Sequence, residues 1–372
     1  MKIVFIIDSL QRYGAQRFLT HLVHGLHDRG YTQRVIALND ATDRDIEQNL
    51  STADCAITRI GKILLLSGGA GWWALVAMLK REMPDVVVTI LDFADTLGRP
   101  AARLARCRRL VTSIRVRNLT KPAWQRWIGR RTIKWADRVV FNSTHVVEYG
   151  RQQEGVREDQ VVVIPNGVED LRGRRAGLRD RYRQELGVSP ATAILGSVGR
   201  LYPQKNLSLL LRALAMLPVS RPWKVLLIGE GPQRPKLLRL ARKLGLSDRI
   251  IWLGSRSDVE GWLAAMDIFI HTADFEGMPN AVMEAMSMGL PVIASAVDGT
   301  RELISDGVSG YLVAPGDADS FAKRIVQIID NPDLAHRLGE QAHHDILAHF
   351  GMVQMIDAYD QLFLSLINTR TA

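Results

Sequence analysis

The chain has few of the features that mark secreted or membrane-spanning proteins. It contains two cysteines, Cys55 and Cys107, in 372 residues, which is too few for a framework of disulfide bonds. A reducing cytosol is therefore the simplest setting for it. Residues 1–8 are mostly apolar and end in Asp8, which predicts a strand rather than a secretory signal.

Long uncharged runs are also scarce. The longest extends over 17 residues, from Ile63 to Leu79, at the short limit for a helix that crosses a bilayer. Residues 67–71 interrupt it with the sequence Ser-Gly-Gly-Ala-Gly. A loop followed by a helix is therefore predicted here, and not a membrane span.

Acidic residues are nearly missing from one part of the first half. Between Arg99 and Arg138 there are thirteen basic residues and one acid, Asp137. Residues 1–170 contain 25 basic and 18 acidic side chains, against 23 and 21 in the remainder. We therefore expect the first half, and not the second, to meet an anionic surface or an anionic substrate.

The glycine fingerprint of dinucleotide-binding folds is missing as well. The strand Lys2–Ile7 is followed by one glycine, Gly14, before an amphipathic helix that continues to about Gly30. A glycine at such a turn lets the backbone approach a ligand closely, but here it could equally serve only to make the turn. Without the full motif and its acidic partner, a nicotinamide dehydrogenase is not supported.

What the sequence does contain is an alternation of apolar strands and helices over the length of two domains. The predicted strands of the first half are Lys2–Ile7, Gln33–Leu38, Asp85–Ile90, Leu110–Ile114, Arg138–Phe141 and Val161–Ile164. Such strands indicate Rossmann-like parallel sheets covered by helices, in the α/β class. The boundaries predicted are a first domain over 1–168, an Arg-rich linker over 169–190 and a second domain over 191–351.

One basic segment of the first half, residues 123–136, mixes aromatic with basic side chains. Trp124 and Trp127 alternate there with Arg126, Arg130 and Arg131. A helix of this kind could lie on the anionic inner face of a membrane, or it could pack on the core and expose a basic face. Nucleic acid is not expected as a partner, because no helix-turn-helix, zinc or RNP pattern accompanies the charges.

The second half is organised around two carboxylates eight positions apart, Glu276 and Glu284. On one helix they would be roughly 80° out of line, so they address one ligand only if a helix begins between them. Pro279 suits the first helical position, and Gly289 suits the end. Glu276 then lies in the entering loop, Glu284 lies on the second turn, and unpaired N–H groups between them form an anion site.

A sugar joined through a diphosphate to a ribose presents hydroxyl, anion and hydroxyl in the same order. The alternative is an ordinary βαβ crossover in which both glutamates are solvated. The sequence Gly277-Met278-Pro279-Asn280 favours the first interpretation, because it is a costly way to begin a helix unless the backbone approaches a ligand.

Two cations follow the predicted strand Ala193–Val198. Arg200 and Lys205 share a loop that begins with Gly199, at the carboxyl end of a strand, where ligands bind in open α/β sheets. Fixed cations there would neutralise a diphosphate leaving group. The next two predicted strands end in Gly229-Glu230-Gly231-Pro232 and in Gly254, whose main-chain atoms could cradle a base.

With these residues assembled, the second half closely resembles the retaining glycosyltransferases of family 4, or group 1 glycosyltransferases. The resemblance rests on residues 198–206, Gly229–Pro232, Glu276 with Glu284, Gly289–Val292 and Asp298–Glu302. It is strong over residues 193–315 and extends elsewhere by layout, at Gly14-Ala15 and at 165–168. It implies the GT-B fold, in which two Rossmann-like domains face each other across a cleft and a C-terminal helix, here 352–372, packs back on the first.

The resemblance also implies roles for individual residues. Arg200 and Lys205 would hold the diphosphate, Glu276 the hydroxyls of the donor sugar and Glu284 the ribose. The donor-binding candidates are Gly14, Gly199, Glu230, Gly254, Gly277, Met278, Pro279, Asn280 and Glu284, and the catalytic candidates are Arg200, Lys205 and Glu276. No metal and no cofactor are expected, so Asp43 with Asp45 and Asp317 with Asp319 are interpreted as surface pairs.

The first half departs from the family pattern at one point. Many relatives carry a histidine near the sugar after a central strand, where this chain has Arg115 and Arg117. Either arginine could face the phosphates or an acidic acceptor. Ala15 also stands where a second glycine is common.

The predicted function is retaining transfer of a hexose-type sugar from a nucleotide-diphosphate donor to a hydroxyl of a saccharide or lipid-linked acceptor. A bacterial envelope pathway such as lipopolysaccharide or polysaccharide synthesis fits, in the cytoplasm or at the inner face of the membrane. Two alternatives stay open: a nucleotide-sugar epimerase of the same fold, and a non-catalytic protein that binds nucleotide sugars.

Overall fold

The computed structural model describes residues 1–61, 69–118, 121–218 and 220–368. The chain forms two compact units. One comprises Met1–Gly167 together with the helix Met352–Asn368, and the other comprises Val168–Gly351. The loop predicted before the helix in the uncharged run falls largely on 62–68, outside the described residues.

The first unit is built on a parallel sheet with seven strands in the described ranges. The strands are β1 (Lys2–Ile7), β2 (Thr32–Ala37), β3 (Ala56–Arg59), β4 (Val86–Ile90), β5 (Arg109–Ile114), β6 (Arg138–Phe141) and β7 (Val161–Val163). Their order across the sheet is β3-β2-β1-β4-β5-β6-β7. Alternate residues of β1 enter two different cores, one on each face of the sheet, which explains why the strand is apolar throughout.

Helices alternate with these strands and cover the sheet. They are α1 (Gly14–His27), α2 (Arg44–Thr52), α3 (Ala70–Glu82), α4 (Asp92–Leu104), α5 (Ala123–Thr132) and α6 (Thr144–Tyr149). The predicted strands of this half are confirmed to within a residue or two at each end, but β3 was not predicted. It is short, partly exposed and at the edge of the sheet, so it lacks the apolar run that marks a central strand.

The second unit contains a parallel sheet with six strands among the described residues. They are β8 (Ala193–Val198), β9 (Trp223–Ile228), β10 (Ile250–Gly254), β11 (Ile268–His271), β12 (Val292–Ser295) and β13 (Tyr311–Val313). Their order is β10-β9-β8-β11-β12-β13. The chain therefore builds outward in one direction from β8 and then in the other from β11. The carboxyl ends of these two strands meet at a topological switch point, the usual place for a ligand in such sheets.

Eight helices lie in the described part of this unit. They are α7 (Arg172–Glu185), α8 (Leu207–Leu214), α9 (Arg234–Lys243), α10 (Val259–Ala265), α11 (Asn280–Ser287), α12 (Asp298–Leu303), α13 (Ala318–Ile329) and α14 (Pro332–Phe350).

Helix α7 corrects the prediction of a linker over 169–190. Its arginines are bound to the second unit: Arg183 pairs with Asp267 at 3.2 Å, and Arg179 donates to the carbonyl of Met266 at 3.0 Å. Tyr182 packs edge-on against Trp262 with 4.9 Å between ring centroids. The segment is polar because its arginines satisfy carbonyls and a carboxylate at the start of β11, and not because it is a solvated connection.

The C-terminal helix, α15 (Met352–Asn368), belongs to the first unit. Its buried residues Met355, Tyr359 and Phe363 join the same core as Phe18 of α1. A Cβ atom on Gly25 would lie 2.2 Å from Ile356, so only glycine lets α1 and α15 approach this closely. Residues 369–372 of the predicted segment 352–372 lie outside the described residues.

None of the described helices combines the length and apolar character that crossing a bilayer requires.

Candidate active site

The loops that follow β8, β9 and β10 are joined through their backbones. Gly199 N–H donates to the carbonyl of Ile228 at 2.9 Å, and Gly229 N–H donates to the carbonyl of Gly254 at 2.7 Å. Gly229 has φ +134°, and a Cβ there would lie 2.0 Å from the carbonyl oxygen of Gly199. Glycine is therefore required at this contact, which brings three strand ends together at one edge of the sheet.

Glu230, predicted to bind the donor, lies over this edge. Its carboxylate accepts a hydrogen bond from Arg234 on α9, and its Oε1 would be 3.1 Å from a Cβ on Gly254. Gly254 has φ +68°. The two residues that were predicted to cradle a base are thus neighbours, although they come from different strands.

The loop after β11 is bound to the loop after β8. The hydroxyl of Thr272 donates to the carbonyl of Lys205 at 3.1 Å, and the amide of Asn206 donates to the carboxylate of Asp274 at 2.8 Å. The backbone N–H of Asp274 donates to the carbonyl of Gln204 at 2.9 Å. These bonds cross the switch point between β8 and β11, so they fix the two loops that hold Lys205 and Glu276.

Lys205 and Glu276 form an ion pair at this point. Lys205 Nζ hydrogen-bonds Glu276 Oε1, with side chains 18% and 9% exposed. Burial alone would raise the pKa of Glu276, but Lys205 and His271 outweigh it and lower the pKa to about 2. Glu276 is therefore an ionised, nearly buried acceptor next to a cation.

His271, the last residue of β11, was not predicted as a site residue. It is 2% exposed, and its Nε2 lies 3.3 Å from Glu276 Oε1. Burial lowers its pKa, so the imidazole is neutral at physiological pH. A small pocket beside it is lined by Ser197, Gly199, Lys205, Leu227 and Thr272, among others. In the sequence His271 is only a polar residue at the end of an apolar strand. A histidine buried in the core for structural reasons would show the same pattern.

The N-terminus of helix α11 has no side-chain cap, as predicted. Pro279 is its N-cap, and no side chain caps the helix. Glu276 lies in the entering loop, Glu284 lies on the second turn and is 8% exposed, and Gly289 after the helix has φ +72°. The predicted placement of these residues relative to the helix is confirmed, within one residue at each end.

The backbone of Gly277 is contacted closely by the following crossover. A Cβ on Gly299, in the first turn of α12, would lie 2.1 Å from the Gly277 carbonyl oxygen. Met278 is buried. The segment Gly277-Met278-Pro279-Asn280 is therefore anchored in the second unit at the point where it leads into α11. A rigid cradle of amides is what binding an anion there requires.

Arg200 stacks on an aromatic ring of its own loop. It is exposed, and its guanidinium carbon lies 4.8 Å from the ring centroid of Tyr202 in the same loop. The two cations predicted to act together therefore differ in setting, with Lys205 held by a carboxylate and Arg200 stacked at the surface.

In the first unit, Gly14 is the first residue of α1. Tyr13 precedes it as the N-cap, and its side chain does not cap the helix. The amide of Gln16 donates to the carbonyl of Ser9 at 2.9 Å and is buried, which fixes the loop between β1 and α1.

Arg115 and Arg117 make contacts within the first unit. The Arg115 guanidinium is buried, stacks 3.5 Å above the Phe18 ring and donates to the side-chain oxygen of Asn166. Arg117 donates to the carbonyl of His145 at 3.0 Å. Through these contacts Arg115 ties α1 to the turn after β7. That either arginine faces the phosphates or an acidic acceptor stays a prediction.

The two Asp-x-Asp pairs cap helices. Asp43 accepts from the backbone of α2 and pairs with Arg12, and Asp317 accepts from Ser320 N–H in α13. Within the described stretches, no three His, Cys, Asp or Glu side chains are grouped so that they could hold a metal ion.

Comparisons with known families identify both units. The family model described as Glycosyltransferase Family 4 matches residues 13–172, and the one described as Glycosyl transferases group 1 matches residues 179–345. The chain belongs to the family 4 glycosyltransferases. The predicted fold, GT-B, and the assignment as a glycosyltransferase enzyme are thereby confirmed.

Individual relatives cover nearly the whole glycosyltransferase. The lipopolysaccharide core biosynthesis glycosyltransferase LpsE of Rhizobium meliloti is 29% identical over 359 residues, which are 95% of this chain and 96% of that protein. An Escherichia coli enzyme named as a UDP-Gal:alpha-D-GlcNAc-diphosphoundecaprenol alpha-1,3-galactosyltransferase is 28% identical over 79% of each chain. The structure of Anabaena HepE in complex with UDP-glucose matches with 25% identity and a TM-score of 0.84, over 98% of this chain and 100% of that one.

Proposed function

We propose that this glycosyltransferase moves a hexose-type sugar from a nucleotide-diphosphate donor to an acceptor hydroxyl with retention of the anomeric configuration. One observation carries the proposal: the Lys205–Glu276 ion pair lies at the switch point of the second sheet. The bare N-terminus of α11 and Glu284 follow it directly. The cation and the amides suit an anion, and the two carboxylates suit groups that carry hydroxyls.

The Lys205–Glu276 ion pair rearranges when the donor binds. A diphosphate is a stronger partner for Lys205 than one carboxylate, and the amides at the start of α11 add hydrogen bonds to it. Glu276 is then released to accept hydroxyls of the sugar, while Glu284 accepts a ribose hydroxyl. Arg200, whose exposed side chain stacks on the Tyr202 ring, would then turn toward the diphosphate.

In the transfer step the bond between the anomeric carbon and the phosphate oxygen breaks, and a bond to the acceptor oxygen forms on the same face. The departing diphosphate takes the proton of the acceptor hydroxyl, so no separate base is needed. Lys205 and Arg200 stabilise the negative charge that develops on the diphosphate, which is worth most in a site closed to water. No metal or cofactor enters this step.

Relatives support the choice of donor and pathway. HepE was crystallised with UDP-glucose, and the Escherichia coli relative is named for a UDP-galactose donor and a lipid-diphosphate acceptor. LpsE is named for lipopolysaccharide core biosynthesis. We therefore propose a nucleotide-diphosphate hexose as donor and a saccharide or lipid-linked acceptor of envelope polysaccharide synthesis.

The experiment uses the full chain with a panel of nucleotide sugars, read first by thermal shift and then by product analysis. The expected result is stabilisation by one nucleotide hexose, and transfer to an envelope glycan acceptor with an unchanged anomeric configuration by NMR. An epimerised sugar after incubation with donor alone would assign the chain to the epimerases instead. Failure of every nucleotide sugar to bind would leave a non-catalytic protein.

A second part of the proposal concerns the membrane. On α5, Trp124 and Trp127 are 53% and 61% exposed, and Arg126, Arg130 and Arg131 are exposed as well. Tryptophan at this exposure beside arginine is what binds the interface of an anionic bilayer. We propose that this face attaches the enzyme to the inner leaflet, where a lipid-linked acceptor is found.

Vesicle flotation tests the attachment. The enzyme should float with vesicles containing phosphatidylglycerol and not with pure phosphatidylcholine, and Trp124→Ala with Trp127→Ala should abolish flotation. Met216→Ala, which removes an exposed apolar side chain from the second unit, is the control and should float normally. Equal binding to both kinds of vesicle would contradict the proposal.

A further inference from the structure

His271 occupies a position that the proposed reaction does not yet use. It ends β11, opposite Ala294 of β12, and is surrounded by the central strands of the second sheet. Ile268 and Ile270 enter one core of the unit and Phe269 enters the other. The strand is otherwise apolar, so an imidazole at its carboxyl end is a costly residue unless something needs it.

The imidazole lacks a satisfied hydrogen bond on one nitrogen. His271 Nε2 is buried, and no described residue offers it an acceptor or donor in hydrogen-bond geometry, although Glu276 Oε1 lies 3.3 Å away. Lys205 Nζ already holds that same oxygen. Buried polar atoms are nearly always paired, so an unpaired one beside a carboxylate indicates a bond that forms in another state of the site.

Donor binding supplies such a state. If the diphosphate draws Lys205 away, Glu276 keeps its burial and loses its cation. A carboxylate in that position becomes easier to protonate, and a protonated Glu276 could no longer accept hydroxyls from the sugar with both oxygens. A neutral N–H donor at 3.3 Å needs only a small rotation of the carboxylate to replace the lysine.

We propose that His271 is the positioning residue of Glu276, which exchanges its Lys205 hydrogen bond for one from His271 Nε2 when the donor diphosphate engages the lysine. This inference rests on the proposed function, since it needs a donor with a diphosphate. The charged groups facing His271 are Glu276, from the loop after β11, and Lys205, from the loop after β8. The strands on either side present Ser197 and Ala294 nearby.

The test measures kcat against pH, with saturating donor, for wild type, His271→Phe and His271→Gln. Without the N–H donor, Glu276 should protonate at higher pH, so the acidic limb of the His271→Phe profile should move up by about one pH unit. His271→Gln retains an N–H and should keep the limb close to that of wild type. Donor affinity of both variants should stay within about twofold, because His271 acts through Glu276.

Two further variants keep the test decisive. Phe269→Leu perturbs packing on the same strand and should lower stability without moving the acidic limb. His271→Met replaces His271→Phe if the larger ring prevents folding. An unmoved limb in the apolar variant, or the same shift in His271→Gln, would overturn the inference, and a large loss of donor affinity would make His271 a donor ligand instead.

The outcome is separable from that of the proposed function. If wild type transfers no sugar from any nucleotide donor, the function fails and the role of His271 is rejected with it. If wild type is active and the profiles of the three proteins coincide, the function stands and only the role of His271 is rejected.

Discussion

The two units each contain a lysine of low exposure bound to carboxylate, and the surroundings of these lysines differ. In the first unit, Lys121 Nζ lies 2.9 Å from Asp92 and 2.6 Å from Glu154, and the side chains of Lys121 and Glu154 are 1% and 2% exposed. In the second, Lys205 has one carboxylate, Glu276, and is 18% exposed beside a pocket and an unsatisfied imidazole.

The surroundings of Lys121 are closed. A Cβ on Gly129 would lie 2.6 Å from Glu154 Oε2, so glycine lets α5 seal the pair. Asn118 donates to Asp92 at 2.7 Å, and the Tyr149 hydroxyl donates to the Asn118 carbonyl at 3.0 Å. With its charge compensated twice and its partners held, Lys121 is suited to anchoring α5 and not to binding a ligand.

The difference shows what distinguishes a structural ion pair from a functional one. Low exposure and a short distance to a carboxylate are common to both lysines. What sets Lys205 apart is that it has one carboxylate partner, at a switch point, near the N-terminus of α11, which no side chain caps. A ligand can improve the bonding of Lys205 but can only worsen that of Lys121.

The largest effect is expected from removing the cations of the second unit. Arg200→Ala with Lys205→Ala should lower kcat by about 10³-fold or more, because charge developing on the leaving diphosphate loses both stabilising groups. Lys236→Ala with Arg239→Ala removes two exposed cations from α9 of the same unit and should leave turnover unchanged. Normal transfer by the first double variant would end the assignment of the site.

For stability the order of the two lysines should be reversed: replacing Lys121 should lower the free energy of unfolding more than replacing Lys205. Lys121→Met leaves the buried carboxylate of Glu154 and the partly exposed one of Asp92 without their cation, and it should cost about 3–5 kcal/mol in the free energy of unfolding. Lys205→Met should cost less, about 1–2 kcal/mol, since the Lys205 side chain is 18% exposed and His271 still lies 3.3 Å from Glu276. Urea unfolding at pH 7 gives both values. Equal losses would mean that the two pairs do not differ as described.

This loss for Lys205→Met has a defined pH dependence. The folded-state pKa of Glu276 is about 2, below its ordinary value of 4.5. The pair therefore stabilises wild type above pH 4.5, and the contribution disappears as the pH falls toward 2. The difference in the free energy of unfolding between wild type and Lys205→Met should therefore become smaller over the same pH range.

The second acid of the site should affect binding more than folding. Glu284→Gln keeps the shape of the side chain but weakens acceptance of a ribose hydroxyl, so the Kd of the donor should rise about tenfold. Isothermal titration with the nucleotide diphosphate measures it. Glu260→Gln on α10 is the control, because Glu260 pairs with Arg174 outside the site. A similar rise in Kd for this variant would mean that the effect of Glu284→Gln is not specific to the site.

The smallest effect concerns the switch point of the first unit, between β1 and β4. Burial raises the pKa of Asp8 to about 7, although the Ala94 N–H donates to its carboxylate at 2.7 Å. Because the folded-state pKa is raised from the ordinary value of 3.8, the contribution of Asp8 to stability is fully present below pH 3.8 and is lost as the pH rises through 7. Asp8→Asn should therefore be more stable than wild type at pH 8 and equal to it at pH 4, in thermal unfolding.

Much of the fold was readable because its elements are strongly patterned. Central strands such as β1 and β8 are apolar throughout, since helices cover both faces of a parallel sheet. The edge strand β3 and the helix α7 were not recognised. The first is too short and exposed to show a pattern, and the second owes its polarity to arginines that bind carbonyls distant in sequence.

The site was predictable to a comparable extent. The positions of Glu276 and Glu284 relative to α11 follow from Pro279 and Gly289, whose effects on the backbone are local. The setting of Arg115 was not predictable, because its partners Phe18 and Asn166 lie far away in the chain. His271 was overlooked because its setting depends on Lys205, which lies far away in the chain and holds the oxygen of Glu276 that His271 faces.

The sequence by itself determined that this protein has two parallel-sheet units, where their strands end and which residue types gather at those ends. These properties depend on hydrophobic periodicity and on the backbone preferences of glycine and proline, which act within a few residues. Only the tertiary structure decided that Lys205 is bound to Glu276, that Lys121 is sealed between two carboxylates and that His271 has an unsatisfied nitrogen. Charge compensation depends on groups that are distant in the chain, and only folding brings those groups together.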